Sequence, residues 1–193
     1  DMLGRSVEML KELLEQLKPY KIPGIAVTIT NPADIVADYV RKGLGLERNR
    51  VFGTGTLLDT ARLIRTLSEE SGVGRRSIQA YSLGEHGDSS MIPFSSVTIG
   101  GLPFDAYDIS KEKVLEATRQ IGMTIIEGKK STEFGIGRAL TEMAACILRD
   151  EKKIMPASVL LQGEYGQHDV HCGVPCLIGK NGIEKIIELP LTE

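Results

Sequence analysis

The chain is poor in the side chains that most often announce chemistry or a compartment: 193 residues hold three histidines and three cysteines. An odd cysteine count implies no disulfide framework, so a reducing, cytoplasmic setting is expected. No apolar run approaches the ~18 residues of a membrane span, and no signal-peptide pattern is present. A net charge of −3 with no dense basic cluster argues against a nucleic-acid partner. Repeats, low-complexity tracts and evident linkers are also missing. What remains, 41% hydrophobic and 25% charged residues, is an ordinary globular composition, long enough for one or two small domains with a real core.

Helical and strand-like patterns alternate along the first third. Val7, Leu10, Leu14 and Leu17 recur at three- and four-residue spacing, which predicts an amphipathic helix over residues 6–18, stopped by Pro19. Residues 24–29 are nearly all apolar and predict a strand buried on both faces of a parallel sheet. Asn31-Pro32 then opens a helix to about Arg41, closed by Gly43-Leu44-Gly45. Residues 51–55 predict a second short strand and a glycine turn, and 57–71 a helix.

The remainder is mixed. Residues 78–99 read as strands broken by a histidine turn and Pro93, 100–103 as a turn, and 111–129 and 133–150 as two long helices. Strands are expected around 158–161, 174–178 and 185–189, with Asn181-Gly182 as the hairpin turn between the last two. The fold class is therefore the last α/β units of a parallel sheet followed by an α+β region.

Candidate chemistry centres on Leu83-Gly84-Glu85-His86-Gly87-Asp88-Ser89, where a histidine stands between glycines after an apolar run. A ring that titrates near neutral pH suits proton transfer there. Upstream, Leu57-Leu58-Asp59-Thr60-Ala61-Arg62-Leu63 puts Asp59 and Arg62 three apart, on one helix face. Acid, guanidinium and imidazole are the parts for orienting a carboxylate and moving a proton. Each has a structural reading too: a histidine in a tight turn, an acid at a helix start, an arginine in a surface ion pair. Arg65 is assigned to that last class. His168, His171, Cys172 and Cys176 offer ligand atoms, but they fit no paired zinc spacing and a strand would splay them, so no metal is expected. Gly53-Thr54-Gly55 lacks the third glycine of a phosphate loop and is taken as a turn.

Through the Gly-Glu-His-Gly-Asp-Ser segment and the preceding Leu-Asp-x-x-Arg, the chain resembles the L-lactate dehydrogenase group of the lactate/malate dehydrogenase family, along nearly its whole length. The resemblance implies NAD-linked hydride transfer between pyruvate and L-lactate, the glycolytic reaction, or with another small L-2-hydroxy acid. His86 would move the proton, Asp59 would orient its ring and Arg62 would grip the substrate carboxylate. Asn31 would lie in an Asn-Pro turn, commonly cis, beside the nicotinamide and the reacting carbon. Thr132, from sequence a possible helix cap, aligns with a position near the substrate. Malate is less favoured, because Leu83-Gly84-Glu85 has the lactate-type form. A homo-oligomer, dimer or tetramer, is implied.

The resemblance divides the chain into 1–52, the end of a dinucleotide-binding (Rossmann) domain, and 53–193, a substrate domain lacking the family's final helix. The glycine-rich phosphate loop and the mobile loop whose arginine polarises the ketone have no counterpart, so this chain by itself is expected neither to bind NAD well nor to turn over. A non-catalytic, self-associating fragment is the reading from another class. Ile64 and Gln79 stand where sugar-bisphosphate-activated members carry arginine and histidine, which implies a non-allosteric enzyme. Gly122-Met123 replaces an alanine and an aromatic in the helix over the pocket. That opens an alternative, an L-2-hydroxyisocaproate-type enzyme for branched 2-oxo acids, as a preference of ~1–3 kcal/mol per methylene.

Overall fold

The computed structural model describes residues 2–130 and 132–191. Helix α1 (Met2–Leu17) turns the buried Leu10 and Leu14 inward, as its periodicity predicts. After the Pro19 break comes β1 (Ala26–Thr28), then α2 (Ala33–Leu44), ended by Gly45 in the left-handed region at φ 62°. Strand β2 (Val51–Gly53) lies parallel to β1, with Val27 opposite Phe52. This is one right-sized βαβ step, with α2 covering one face through Val36 and Val40 beside Leu10 and Val51.

Helix α3 (Leu57–Ser71) follows, with Leu63 and Leu67 fully buried. A small antiparallel sheet comes next: β3 (Ile78–Gln79), β4 (Thr98–Ile99) and β5 (Leu102–Pro103). Ile78, Val97, Ile99 and Phe104 pack it against α3 and Val114 of α4 (Lys111–Lys129). Helix α5 (Glu133–Leu148) then leads to β6 (Lys153–Gln162), β7 (His168–Gly179) and β8 (Gly182–Ile186), an antiparallel meander. Gly53 pairs with Ser158, so the meander extends the parallel pair into one mixed sheet of order β1-β2-β6-β7-β8. Phe52, Met143, Val159, Leu161, Cys176 and Ile178 form the largest core, between α5 and that sheet.

Five local expectations are corrected. Residues 24–29 do not make a strand covered on both faces: β1 is three residues long, lies at a sheet edge, and is half-buried throughout, with Ile29 beyond it 43% exposed. Residues 78–99 keep strand pairing at their two ends, joined by single bridges at Leu83–Met91 and Gly84–Gly173. Here the Ser82 amide donates to the Thr60 hydroxyl at 2.9 Å, and Gly84 sits at φ 89°, neither of which a continuous ladder allows. Of residues 100–103 only the glycines turn; both have positive φ (59° and 86°), the condition for a two-residue hairpin, and Leu102 and Pro103 pair with β4. The β7–β8 turn is Lys180-Asn181, one residue earlier than Asn181-Gly182, because Gly182 pairs with Gly179, and β8 ends at Ile186 rather than near 189.

Candidate active site

Asp59 occupies the first turn of α3, the end at which a helix dipole favours an acid. Its Oδ2 accepts a 2.6 Å hydrogen bond from His86 Nδ1, while Oδ1 accepts one of 2.8 Å from Arg62 Nη1. The acid thus binds both basic side chains that the sequence associates with it. With Nδ1 committed as donor, Nε2 is the ring atom free to exchange a proton. The bond to Asp59 raises the His86 pKa above its ordinary 6.5, against the opposing effect of burial, and so favours the imidazolium.

The histidine turn is pinned by its backbone. Leu83 exchanges hydrogen bonds with Met91, and Gly84 with Gly173 of β7. The His86 amide donates 3.0 Å to Asp34 Oδ2, and the other Asp34 oxygen accepts from Ser158 Oγ of β6. Burial pushes the Asp34 carboxyl up from 3.8 despite those two hydrogen bonds. Arg119 of α4 donates to the carbonyls of Asp88 (2.8 Å) and Ser90 (3.4 Å) and so ties the roof helix to the same turn.

Arg62 is 15% exposed, and its Nε is buried without a partner among the described residues. Its guanidinium crosses α4 at Gly122, where a Cβ would stand 3.2 Å from Nη1. The space left by the missing methyl is therefore next to the arginine.

His86, Asp59, Arg62, Asn31, Thr132 and Gly122 line one cleft of about 370 Å³. Structure thus brings together all five residues singled out by sequence. Asn31 forms a cis peptide with Pro32 at the mouth of α2, its carbonyl accepting from Ser6 Oγ at 3.1 Å. Thr132 precedes α5, but its side chain makes no capping bond among the described residues, leaving the hydroxyl for the cleft. Asp34 and Arg119 are not singled out by sequence reasoning. For Asp34 a faint signal exists, an acid two residues after Asn31-Pro32 in the first turn of α2; for Arg119 there is none.

Outside the cleft, Arg65 pairs with Glu69 on the exposed side of α3 at 2.8 Å. The four metal-type residues lie along β7, and among the described residues no three His, Cys, Asp or Glu side chains gather around a common point. No described helix is long and apolar enough to cross a membrane.

An imidazole held by a carboxylate, beside an arginine in a cleft at the end of an α/β step, is an arrangement that can chemically hold a small carboxylate and pass a proton. The family model for the lactate/malate dehydrogenase alpha/beta C-terminal domain matches residues 56–193, and the chain belongs to the lactate/malate dehydrogenase family. It is 44% identical to an L-lactate dehydrogenase of Fusobacterium nucleatum subsp. nucleatum and 43% identical to one of Mycoplasma pneumoniae, over 99% of this chain and 63% of each relative. The chain thus spans under two thirds of the length of these relatives. Among solved structures, a lactate dehydrogenase from a Medee basin deep-sea metagenome library superposes with TM-score 0.91 at 37% identity, covering 96% of this chain and 62% of the other. The malate dehydrogenase of Aeropyrum pernix does so with TM-score 0.92 at 37% identity, covering 99% and 65%.

Proposed function

We propose that this chain carries the substrate-handling part of an NAD-dependent L-2-hydroxy acid dehydrogenase, in the simplest case L-lactate dehydrogenase. The observation that carries the reading is the Arg62 guanidinium lining the same cleft as the His86–Asp59 pair. A guanidinium that lines a cleft can hold a substrate carboxylate by two parallel hydrogen bonds.

Within that frame Arg62 binds the carboxylate and points the 2-oxo group at His86. Nε2 gives its proton to the ketone oxygen during reduction and takes it back during oxidation, while Asp59 stabilises the imidazolium. NAD, when bound, supplies or accepts the hydride at C2. The residues here fit its nicotinamide end: Asn31 follows β1 at the carboxyl end of the parallel pair, where α/β sheets place ligands, and Thr132 brings an uncapped hydroxyl to the same cleft. Residues 1–52 are then the close of the dinucleotide-binding domain, 53–193 the substrate domain, and a homo-oligomer the working form. Leu115, Ile126 and Ile136 contribute apolar lining to the cleft.

The test is an NADH-consumption assay of the full-length protein on pyruvate, oxaloacetate and 4-methyl-2-oxopentanoate. Turnover of pyruvate at the highest kcat/KM is expected, with Arg62→Lys losing on the order of 10²-fold because a point charge cannot copy the planar fork. Reduction should slow as pH rises through the raised His86 pKa, since the protonated ring is the donor. No NADH oxidation with any 2-oxo acid would sink the proposal. A higher kcat/KM for the branched acid would move the assignment to the hydroxyisocaproate type.

A further inference from the structure

We propose that Asp34 is a positioning residue of the proton-transfer centre: it clamps the His86 backbone to α2 and β6 and thereby fixes the imidazole relative to both Asp59 and the Asn31 turn. The proposal rests on the reading of His86 as the proton carrier. Its geometry does not depend on catalysis.

Asp34 touches two elements far from it in sequence. Oδ2 accepts the His86 amide, 52 residues away, and the other carboxylate oxygen accepts the Ser158 hydroxyl, 124 residues away. It also sits in the same helical first turn as the Asn31-Pro32 peptide. One half-buried side chain therefore joins the loop that would face the cofactor, the central sheet and the turn carrying the histidine. Burying a carboxylate is unfavourable unless its oxygens are well bonded, and burial indeed disfavours the charged form here. The sequence nonetheless places an acid at this position, which a purely apolar contact between α2 and the sheet does not require.

Asp34 is also the second negative charge acting on the ring. The groups around His86 are Asp59 and Arg62 from α3, Asp34 from α2, Arg119 from α4, and Glu85 and Asp88 from its own turn. Asp59 bonds the ring, and Arg62 opposes its protonation. Asp34 adds attraction from the backbone side and keeps the ring from rotating away with its turn.

The experiment is proton NMR of the imidazole resonances in the 193-residue chain, with His86 assigned by its loss in His86→Gln and His168 and His171 as internal references. Asp34→Asn keeps the shape and one acceptor but removes the charge. The His86 midpoint should fall by roughly 0.5–1 pH unit, and exchange of its backbone amide should quicken on the order of tenfold, with His168 unmoved. Ser158→Ala, which leaves Asp34 in place but loosens it, should shift His86 in the same direction by less. A folded Asp34→Asn with native His86 titration and amide exchange overturns the proposal, as does an equal shift of all three histidines. Loss of cooperative folding in both variants also overturns it, by making Asp34 a general stability residue. Because none of these readouts needs turnover, failure of the dehydrogenase assignment would appear separately, in the NADH assay.

Discussion

Gly122 decides how close α4 comes to Arg62, the arginine proposed to hold the substrate. A Cβ there would stand 3.2 Å from Arg62 Nη1 and 3.4 Å from Cζ, tighter than comfortable contact, yet both atoms end a flexible side chain. Gly122→Ala should therefore stabilise the chain by about 0.5–1 kcal/mol through helix propensity, read as a higher denaturant midpoint at unchanged slope. If the full-length protein is the proposed dehydrogenase, the displaced guanidinium should raise KM for a 2-oxo acid while leaving kcat nearly constant, the pattern of lost ground-state binding. A fall in stability would show that Arg62 cannot yield, and that the cleft is packed around it. Gly55 is the contrasting case. At φ 48° its Cβ would meet the backbone nitrogen of Ser158 at 2.6 Å, so neither conformation nor space admits a side chain. The glycine that looks like part of a phosphate loop in the sequence is there for close approach of β6.

Between elements, α2 and β7 trap an unusual imidazole. The His171 side chain is 2% exposed, and neither ring nitrogen has a hydrogen-bond partner among the described residues. Asp38 of α2 lies 3.4 Å away, but Arg41 and Lys42 on the same helix oppose protonation, and burial, the largest effect, pulls the pKa down to about 4. The folded chain thus holds His171 neutral while the unfolded chain protonates it near 6.5. Its contribution to stability is complete above pH 6.5 and is lost as pH falls toward 4. His86 works in the opposite sense: its raised pKa adds stability below 6.5 that disappears as pH climbs through the folded value. His171→Leu should accordingly raise the urea midpoint at pH 5 more than at pH 8. Equal gains at both pH values would mean that the imidazole is not the cause.

Elements differed in how far the sequence revealed them, for physical reasons. The helices were legible because their apolar spacing and glycine stops are local. So were Asp59, Arg62 and His86, carried by two compact motifs: Asp59 and Arg62 pair within one at 2.8 Å, and the fold brings His86 of the other to 2.6 Å from Asp59. Residues 80–91 were not, because their backbone hydrogen bonds go to Thr60, Gly173 and one another rather than to a ladder. Asp34 left only a faint trace for the same reason: its partners are defined by the tertiary fold.

For the molecule as a whole, the mixed sheet ends on β1. In a parallel pair, successive residues point their amides alternately toward and away from the partner strand. The Ala26 amide donates to Arg50, and the Thr28 carbonyl accepts from Thr54, so Val27 turns its amide and carbonyl outward, toward the free edge. If residues 1–52 close a larger dinucleotide-binding sheet, as proposed, the preceding strand of the full-length protein pairs with that edge. The Val27 amide should then exchange with deuterium on the order of 10²-fold or more slowly in the full-length protein than in the 193-residue chain, while Ala26 and Thr28 change little. Such a pattern would place the added strand beside β1 in register. Equal exchange at Val27 in both chains would leave the edge open in the longer protein and refute the continuous sheet. An exposed edge also invites pairing between copies, so the comparison belongs at low protein concentration, where slow exchange at Val27 in the shorter chain cannot come from a second copy.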